Sequence, residues 1–307
     1  MKLISCIMPI KKDLSYLDKS IESILNQSYK NFELIIIDNS SNKSVLKKIT
    51  TYKKKDKRIK IFKKKVGNLS ELLNYGVMKS KGDFVARQDS DDISHKKRFE
   101  YQINWFQKPS LKFKNKILCG TNACLIDERG KNLGKTRYVK FKHDDIKKRL
   151  LFANCFVHSS IMVNYKSLKK NFRYNKYFLY SQDYDLWTRL IQFGEVCNLN
   201  LELVKYRISK KFNKNKKFRL QTLYAIIIAS NYLNFSITKK FKKFSGSLTS
   251  AIKNLEQEEK LKNHVKILRY IYGKSLNKSD PIRVKNLNIS EFLVNIKNPL
   301  FLKELIK

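Results

Sequence analysis

Three carboxylates fall within four residues at Asp89-Ser90-Asp91-Asp92, in a chain whose formal charge is +40. Carboxylates on one turn can divide the work, one facing a ribose and one a hard divalent cation. Mg and Mn are held in this way, by one or two carboxylates together with the phosphates of a ligand. Such an ion neutralises the charge that builds on a departing diphosphate. The bland alternative is an exposed acidic turn in which Asp92 or Ser94 caps a helix beginning near His95. So much acid in so basic a chain, at a strand end, favours the chemical reading.

Gln182-Asp183-Tyr184-Asp185-Leu186-Trp187 is the second constellation. A carboxylate at a helix start, brought close to a metal site, can take the proton of an attacking hydroxyl as general base. Taken alone, Asp183 reads first as an N-terminal acid complementing the helix dipole. Trp187 reads as core rather than as a platform for a sugar. His158, in Asn154-Cys155-Phe156-Val157-His158-Ser159-Ser160, is a lone histidine beside a strand and reads as structural.

The elements that must position these groups alternate in period. Leu3–Pro9 reads as a buried strand, Leu17, Ile21, Ile24 and Leu25 as one helix face, and Phe32–Asp38 as a second apolar strand. A basic helix over 43–55, a strand at Ile59–Phe62, a helical stripe from Leu69 to Val77 and a strand at Asp83–Arg87 follow. This alternation predicts an α/β fold built on a mostly parallel, doubly wound sheet. Asp38 ends the second strand and the acidic turn follows the fourth, so both fall on the carboxyl edge where open sheets bind ligands. Further along, Ile117–Cys124 and His158–Val163 read as strands. Asp144–Phe152 and Asp183–Phe193 read as helices, the last stopped by Gly194. The character changes after Arg207, giving a boundary near 212: a domain over 1–212 and a helical region over 213–307.

Composition bounds the rest. Hydrophobic residues make up 42% of 307 and aromatics 12%, enough for a packed core. The excess charge is mostly lysine, which suits phosphate or an anionic membrane surface, but Arg forks that read bases are scarce. Lysine enrichment of the whole genome would give the same composition. The five cysteines form no CxxC pair and no zinc spacing, as reduced cytoplasmic thiols would. The N-terminus shows no cleavage region, and the longest apolar stretch, Leu223–Ala229, is far short of the roughly 20 residues of a membrane span. A cytoplasmic protein, peripheral at most on the inner membrane face, is expected.

In series, these segments resemble family 2 inverting glycosyltransferases, which have the GT-A fold. The carriers are Ser5-Cys6-Ile7-Met8-Pro9, Ser20–Tyr29, Phe32–Asp38, Leu72-Leu73-Asn74-Tyr75-Gly76, Lys81–Asp92, Val157-His158-Ser159-Ser160 and Asp183–Trp187. They run in the family's order from Ile4 to Ser209, about two-thirds of the chain. The resemblance implies that Asp38 meets the nucleotide base, Asp89 lies near the ribose, Asp91 binds Mn or Mg, and Asp183 is the catalytic base. It also puts Pro9, Asn74, Arg87 and Ser90 around the donor. The implied reaction is one displacement with inversion: a single sugar passes from a nucleotide-diphosphate donor, UDP-linked in the usual case, to a hydroxyl of a bacterial surface glycan such as lipopolysaccharide or capsule. A lipid-linked acceptor is one form of this.

The chain departs from the family pattern at four places. Lys11-Lys12 replace Tyr-Asn after the first strand, and Asp38-Asn39-Ser40-Ser41 replaces Asp-Asp-Gly-Ser. Gln182 replaces Glu, and Ser209 stands where many relatives have a histidine. The absence of Gln-x-x-Arg-Trp favours transfer of one sugar over processive synthesis. Two rivals are weighed. A sugar nucleotidyltransferase would need a Gly-rich phosphate loop that Pro9-Ile10-Lys11-Lys12 does not supply. A nucleic-acid-binding protein would use the basic surface alone, and no motif specific to nucleic acid is seen. In the C-terminal region, Tyr224, Ile227, Ile228, Asn231 and Tyr232 recur at helical spacing ahead of Lys239-Lys240-Phe241-Lys242-Lys243-Phe244. A packed helix or a membrane-surface anchor fits that pattern.

Overall fold

Strand β1 (Ile4–Ile10) is buried along its whole length, so it needs a strand on each side and a layer over each face. In the computed structural model it lies between β2 (Phe32–Asp38) and β4 (Phe84–Arg87), parallel to both. The structure describes residues 1–11, 15–137, 139–208, 216–241 and scattered positions from 251 to 268. Lys12, Ser209, Lys242, Lys243, Phe244 and the boundary at 212 lie outside the described residues, as does most of 213–307.

The chain runs β1, α1 (Leu17–Leu25), β2, α2 (Lys43–Lys55), β3 (Ile59–Lys63), α3 (Leu69–Lys79), β4, β5 (Ile93–Ser94), α4 (Arg98–Gln107), β6 (Lys116–Ile126), β7 (Asn132–Arg137) and α5 (His143–Arg149). It continues with β8 (Met162–Asn164), α6 (Tyr165–Leu168), α7 (Gln182–Leu190), β9 (Glu195–Arg207) and α8 (Lys216–Thr238). The strands form one mixed sheet in the order β3-β2-β1-β4-β8-β6-β9-β5, with β7 on β6. Pairing is parallel from β3 to β4 and again between β6 and β9. Antiparallel pairs enter with β8, β5 and β7. The expected α/β class is the one found, its parallel character concentrated in the first four strands of the order.

Alternate residues of β1 and β2 supply the two layers. Ile4, Cys6, Met8 and Ile10 join Leu34 and Ile36 in a core that includes Leu17, Ile21 and Ile24 of α1, Val45 and Ile49 of α2, and Phe99 of α4. On the other face α3 comes so close that a Cβ on Gly76 would sit 2.5 Å from Ile7 Cγ2. Each fully buried Ile or Leu contributes about 1.5–3 kcal/mol.

Glu33, buried in β2, accepts from Ser5 Oγ at 2.7 Å and from Lys81 N at 2.9 Å, while Gly82 N donates to Ser5 Oγ at 2.8 Å. These bonds pin the turn before β4, and so fix where the acidic residues after β4 emerge. Pro9 is tolerated mid-sheet because β4 stops pairing with β1 at Ile7↔Arg87, so no partner requires an N–H at Pro9 on that side.

Two expectations of local structure need correction. His158–Val163 is not one strand: His158–Ser160 forms a 3₁₀ turn and the strand begins at Met162. Ser160 Oγ bonds the Val157 carbonyl and Ser159 Oγ bonds Asp92, side-chain bonds that compete with a ladder. The helix expected over Asp183–Phe193 ends at Leu190, with a 3₁₀ turn before Gly194. Gly194 is required for close approach, since a Cβ there would stand 2.4 Å from Asn115 O.

By internal contacts the chain divides into two compact units, Met1–Ile146 with Cys155–Phe212, and Lys147–Asn154 with the described residues from Asn213 on. In α8, Tyr224, Ile227, Ile228, Asn231 and Tyr232 are buried. Packing therefore describes this face, and these residues are not available to a headgroup layer. Among the described residues, no helix is long and apolar enough to cross a membrane.

Candidate active site

Arg87, the last residue of β4, is 2% exposed, and its Nη2 donates to Asp89 Oδ1 at 2.5 Å. Its Nη1 donates to the Gln88 carbonyl, and its Nε has no partner among the described residues. The turn that follows is braced from below by Gln88, whose Nε2 reaches the Asp92 carbonyl at 2.8 Å and whose Oε1 accepts from Ser94 Oγ and Arg98 Nη1. Arg98 is wholly buried and also donates to the carbonyls of Arg87 and Ile161. Burial brings its guanidinium down to about 10, still protonated at neutral pH. Ser20 of α1 completes the brace by donating to Asp89 O at 2.8 Å.

The three acids have different surroundings. Asp92 is buried and structural: Oδ1 accepts from Arg207 N at 2.8 Å and Oδ2 from Ser159 Oγ. It does not cap a helix, and neither does Ser94. The next helix begins at Arg98 with no side-chain cap. Asp89 is committed to Arg87. Asp91 is half-buried, and its carboxyl is pushed up to about 6 by burial first and by the charge of Asp89 second. A carboxylate kept from its charge balance is one that a cation stabilises. An all-oxygen donor set of Asp91 with Asp89 beside it suits Mg or Mn, which take one or two protein carboxylates and complete their shell from substrate and water. The residues present fit the ion. Among the described residues, no three His, Cys, Asp or Glu side chains converge on one point.

Arg207, which no sequence argument singled out, ties this turn to its neighbours. Its Nε donates to Asp91 O at 2.9 Å, its Nη1 to Asp127 O at 2.6 Å, and its guanidinium lies 3.9 Å above the Tyr16 ring. One side chain thus joins the acidic turn, the β6–β7 turn and the start of α1. The signal in the sequence was its place just before the change of character after Arg207, which by itself has many meanings.

Asp183 lies in the first turn of α7, just after Ser181, whose φ of 55° is left-handed. Such a conformation in a non-glycine residue costs about 1–3 kcal/mol and is held by its surroundings. Asp183 and the acidic turn both act electrostatically on one pair of residues. His158 Nε2 is 2.9 Å from Tyr174 OH, and both residues feel the charges of Arg87, Asp89 and Asp183. Burial holds His158 down to about 4, with Arg87 adding to the effect, so the ring is neutral at physiological pH. His158, expected to be structural, thus feels charges from both constellations. Trp187 is fully buried against Phe156 and His158, as its core reading expected.

The remaining predicted residues are placed as follows. Asp38 is buried at the end of β2, where Oδ1 accepts from Ser40 N and Ser40 Oγ in a tight Asx turn. Asn74, expected at the donor, has its side-chain amide on the backbone of Tyr174: Nδ2 donates to Tyr174 O at 2.8 Å and Oδ1 accepts from Tyr174 N at 2.9 Å. Pro9 is buried in β1, and Ser90 is half-buried on the acidic turn.

The profile of Glycosyl transferase family 2 matches residues 5–185. The chain is 38% identical over 215 residues to the O-antigen biosynthesis glycosyltransferase WbnJ of Escherichia coli, covering 68% of this chain and 81% of that protein. Its fold is similar to that of S. aureus TarS 1–349 in complex with UDP, with a TM-score of 0.57 at 16% identity, over 90% of this chain and 88% of the other. It also resembles the mannosyltransferase PcManGT from Pyrobaculum calidifontis in complex with GDP-Man and Mn2+, with a TM-score of 0.52 at 8% identity, over 99% and 84%.

Proposed function

Because the chain belongs to glycosyl transferase family 2, an enzyme family of the transferase class, we propose that it moves a single sugar from a nucleotide-diphosphate donor, with inversion, onto a hydroxyl of a growing surface glycan. The observation that supports this most strongly is that Asp89 and Asp183 both act on the hydrogen-bonded His158–Tyr174 pair, as expected of an acidic turn and a base that serve one site. Asp91, with Asp89 at its side, would hold a Mg or Mn ion, which would neutralise the diphosphate charge.

The chain's own residues do the rest. Arg87 fixes Asp89 for the donor's ribose, and Asp38 lies at the edge where the base, uracil in this reading, is received. Asp183 takes the proton of the attacking hydroxyl, so the acceptor oxygen gains nucleophilicity as it approaches the anomeric carbon. His158 stays neutral and holds Tyr174 against the site. The nucleotidyltransferase alternative gives way to family membership. The likeness to WbnJ supports an O-antigen-like glycan as the product. A panel of nucleotide sugars, each assayed with Mn for release of the nucleoside diphosphate, tests the reading: one donor is expected to be turned over, and a panel without any turnover would remove it.

A further inference from the structure

A cleft of about 970 Å³ runs between α3 and the segment from α6 to Tyr177, away from the acidic turn. Five of its lining residues are cationic and unpaired: Lys64 on one side, and Lys169, Lys170, Arg173 and Lys176 on the other. None of the five lies within ion-pair distance of a carboxylate among the described residues, whereas a sixth, Arg189, is neutralised by Asp185. The single acid of the lining, Glu71, sits in the capping box of α3 with Oε2 accepting from Asn68 N, and offsets at most one of the five charges. The cleft therefore carries uncompensated positive charge.

Aromatic rings stand among those charges. Lys64 Nζ lies 5.5 Å from the Tyr75 ring centre and Lys176 Nζ 5.3 Å from that of Tyr177, itself 75% exposed. Rings with polar edges beside point charges suit a ligand that presents apolar faces and anionic groups in alternation. The cleft also reaches the catalytic neighbourhood through one residue. Tyr174 lines it, Asn74 clamps the Tyr174 backbone from α3, and the Tyr174 hydroxyl bonds His158.

We infer that this cleft binds the acceptor as an anionic saccharide, a chain bearing carboxylate or phosphate groups, so that Tyr174 registers its occupancy beside Asp183. The inference rests on the glycosyltransferase reading, and of the residues expected at the donor it involves Asn74 alone, through the Tyr174 backbone. Sugar rings pack on Tyr75 and Tyr177 while the lysines meet the charges. A merely solvated lysine face would lack the rings and the link to His158.

The test is binding of end-labelled tetragalacturonate and of neutral galactotetraose to the full chain, followed by fluorescence anisotropy. Wild type is compared with a variant combining Lys169→Gln, Lys170→Gln, Arg173→Gln and Lys176→Gln, and with Lys64→Gln on the opposite wall. The charged saccharide is expected to bind at least about tenfold more tightly than the neutral one and to weaken with salt, and the fourfold variant to lose about tenfold or more. Lys64→Gln is expected to show a smaller loss and guards against misfolding of the fourfold variant. Equal binding of the two saccharides, or full binding by both variants, would overturn the inference. So would single-stranded DNA binding more tightly at the same residues, which would make the cleft a nucleic-acid surface. Nucleotide-sugar turnover by the wild type is read separately: binding without turnover leaves the cleft standing and removes the donor reading.

Discussion

The ring of His158, half-buried, and the hydroxyl of the buried Tyr174 are 2.9 Å apart, with Asp183 and Asp89 both acting on them. The pair is held from outside by Asn74, whose amide bonds both polar groups of the Tyr174 backbone. Removing Asn74 leaves a donor and an acceptor without partners, at about 1–3 kcal/mol. Asn74→Ala is expected to lower the unfolding free energy by that amount and to reduce turnover with little change in donor affinity. Denaturant unfolding and donor titration check it, and loss of donor affinity alone would return Asn74 to the donor site.

The neutral state of His158 has a signature in pH. Its value of about 4 lies below the ordinary 6.5, so the unfolded chain binds the proton first as pH falls. The stability His158 contributes is present above 6.5 and is lost as pH falls toward 4. Between pH 7 and 5 this removes about 2 kcal/mol. His158→Gln should lose less stability than the wild type over that interval, by about the same amount. Measuring both proteins side by side cancels the opposite trend of Asp91, which both retain. Parallel curves would show that the ring is charged or exposed.

Much of this frame was legible in the sequence. Phe32–Asp38 and 43–55 have the expected bounds because their apolar periods are unbroken and their ends carry polar residues with a local use, such as Asn42 accepting from Ser44 N. The acidic turn could be placed because Gly82 and an apolar four-residue strand lead into it. The work done by long-range side-chain bonds was not legible. Asp92 looks like its neighbours until Ser159 and Arg207 arrive from 67 and 115 residues away. His158 reads as structural until Tyr174 and the charges of two distant loops surround it.

The Arg207 side chain binds the backbone of the acidic turn, while its backbone N–H donates to the Asp92 carboxylate. Arg207→Lys keeps the charge but cannot reproduce bonds to both Asp91 O and Asp127 O. Turnover is expected to fall about tenfold, with the Mn concentration for half-maximal activity raised, because the turn is less well fixed. An unchanged metal requirement would limit Arg207 to a structural role.

Asp91→Ala removes the carboxylate proposed to meet the ion while leaving the braces of Gln88 and Arg98 in place. Loss of one electrostatic stabiliser costs roughly 3–4 kcal/mol, a hundredfold or more in rate. The variant should unfold at a temperature close to wild type and gain no stability from Mn. Full activity in this variant, or wild-type activity in excess EDTA, would contradict a metal-dependent reaction.

The central claim is that Asp183 is the base. Asp183→Asn keeps the size and a polar group at the start of α7 but cannot accept a proton. The decisive measurement is the single-turnover rate of sugar transfer by this variant, with donor affinity titrated in the same preparation. The account predicts unchanged donor affinity and a transfer rate lower by about 10²–10⁴. Transfer at the wild-type rate, or a loss explained wholly by weaker donor binding, would contradict it.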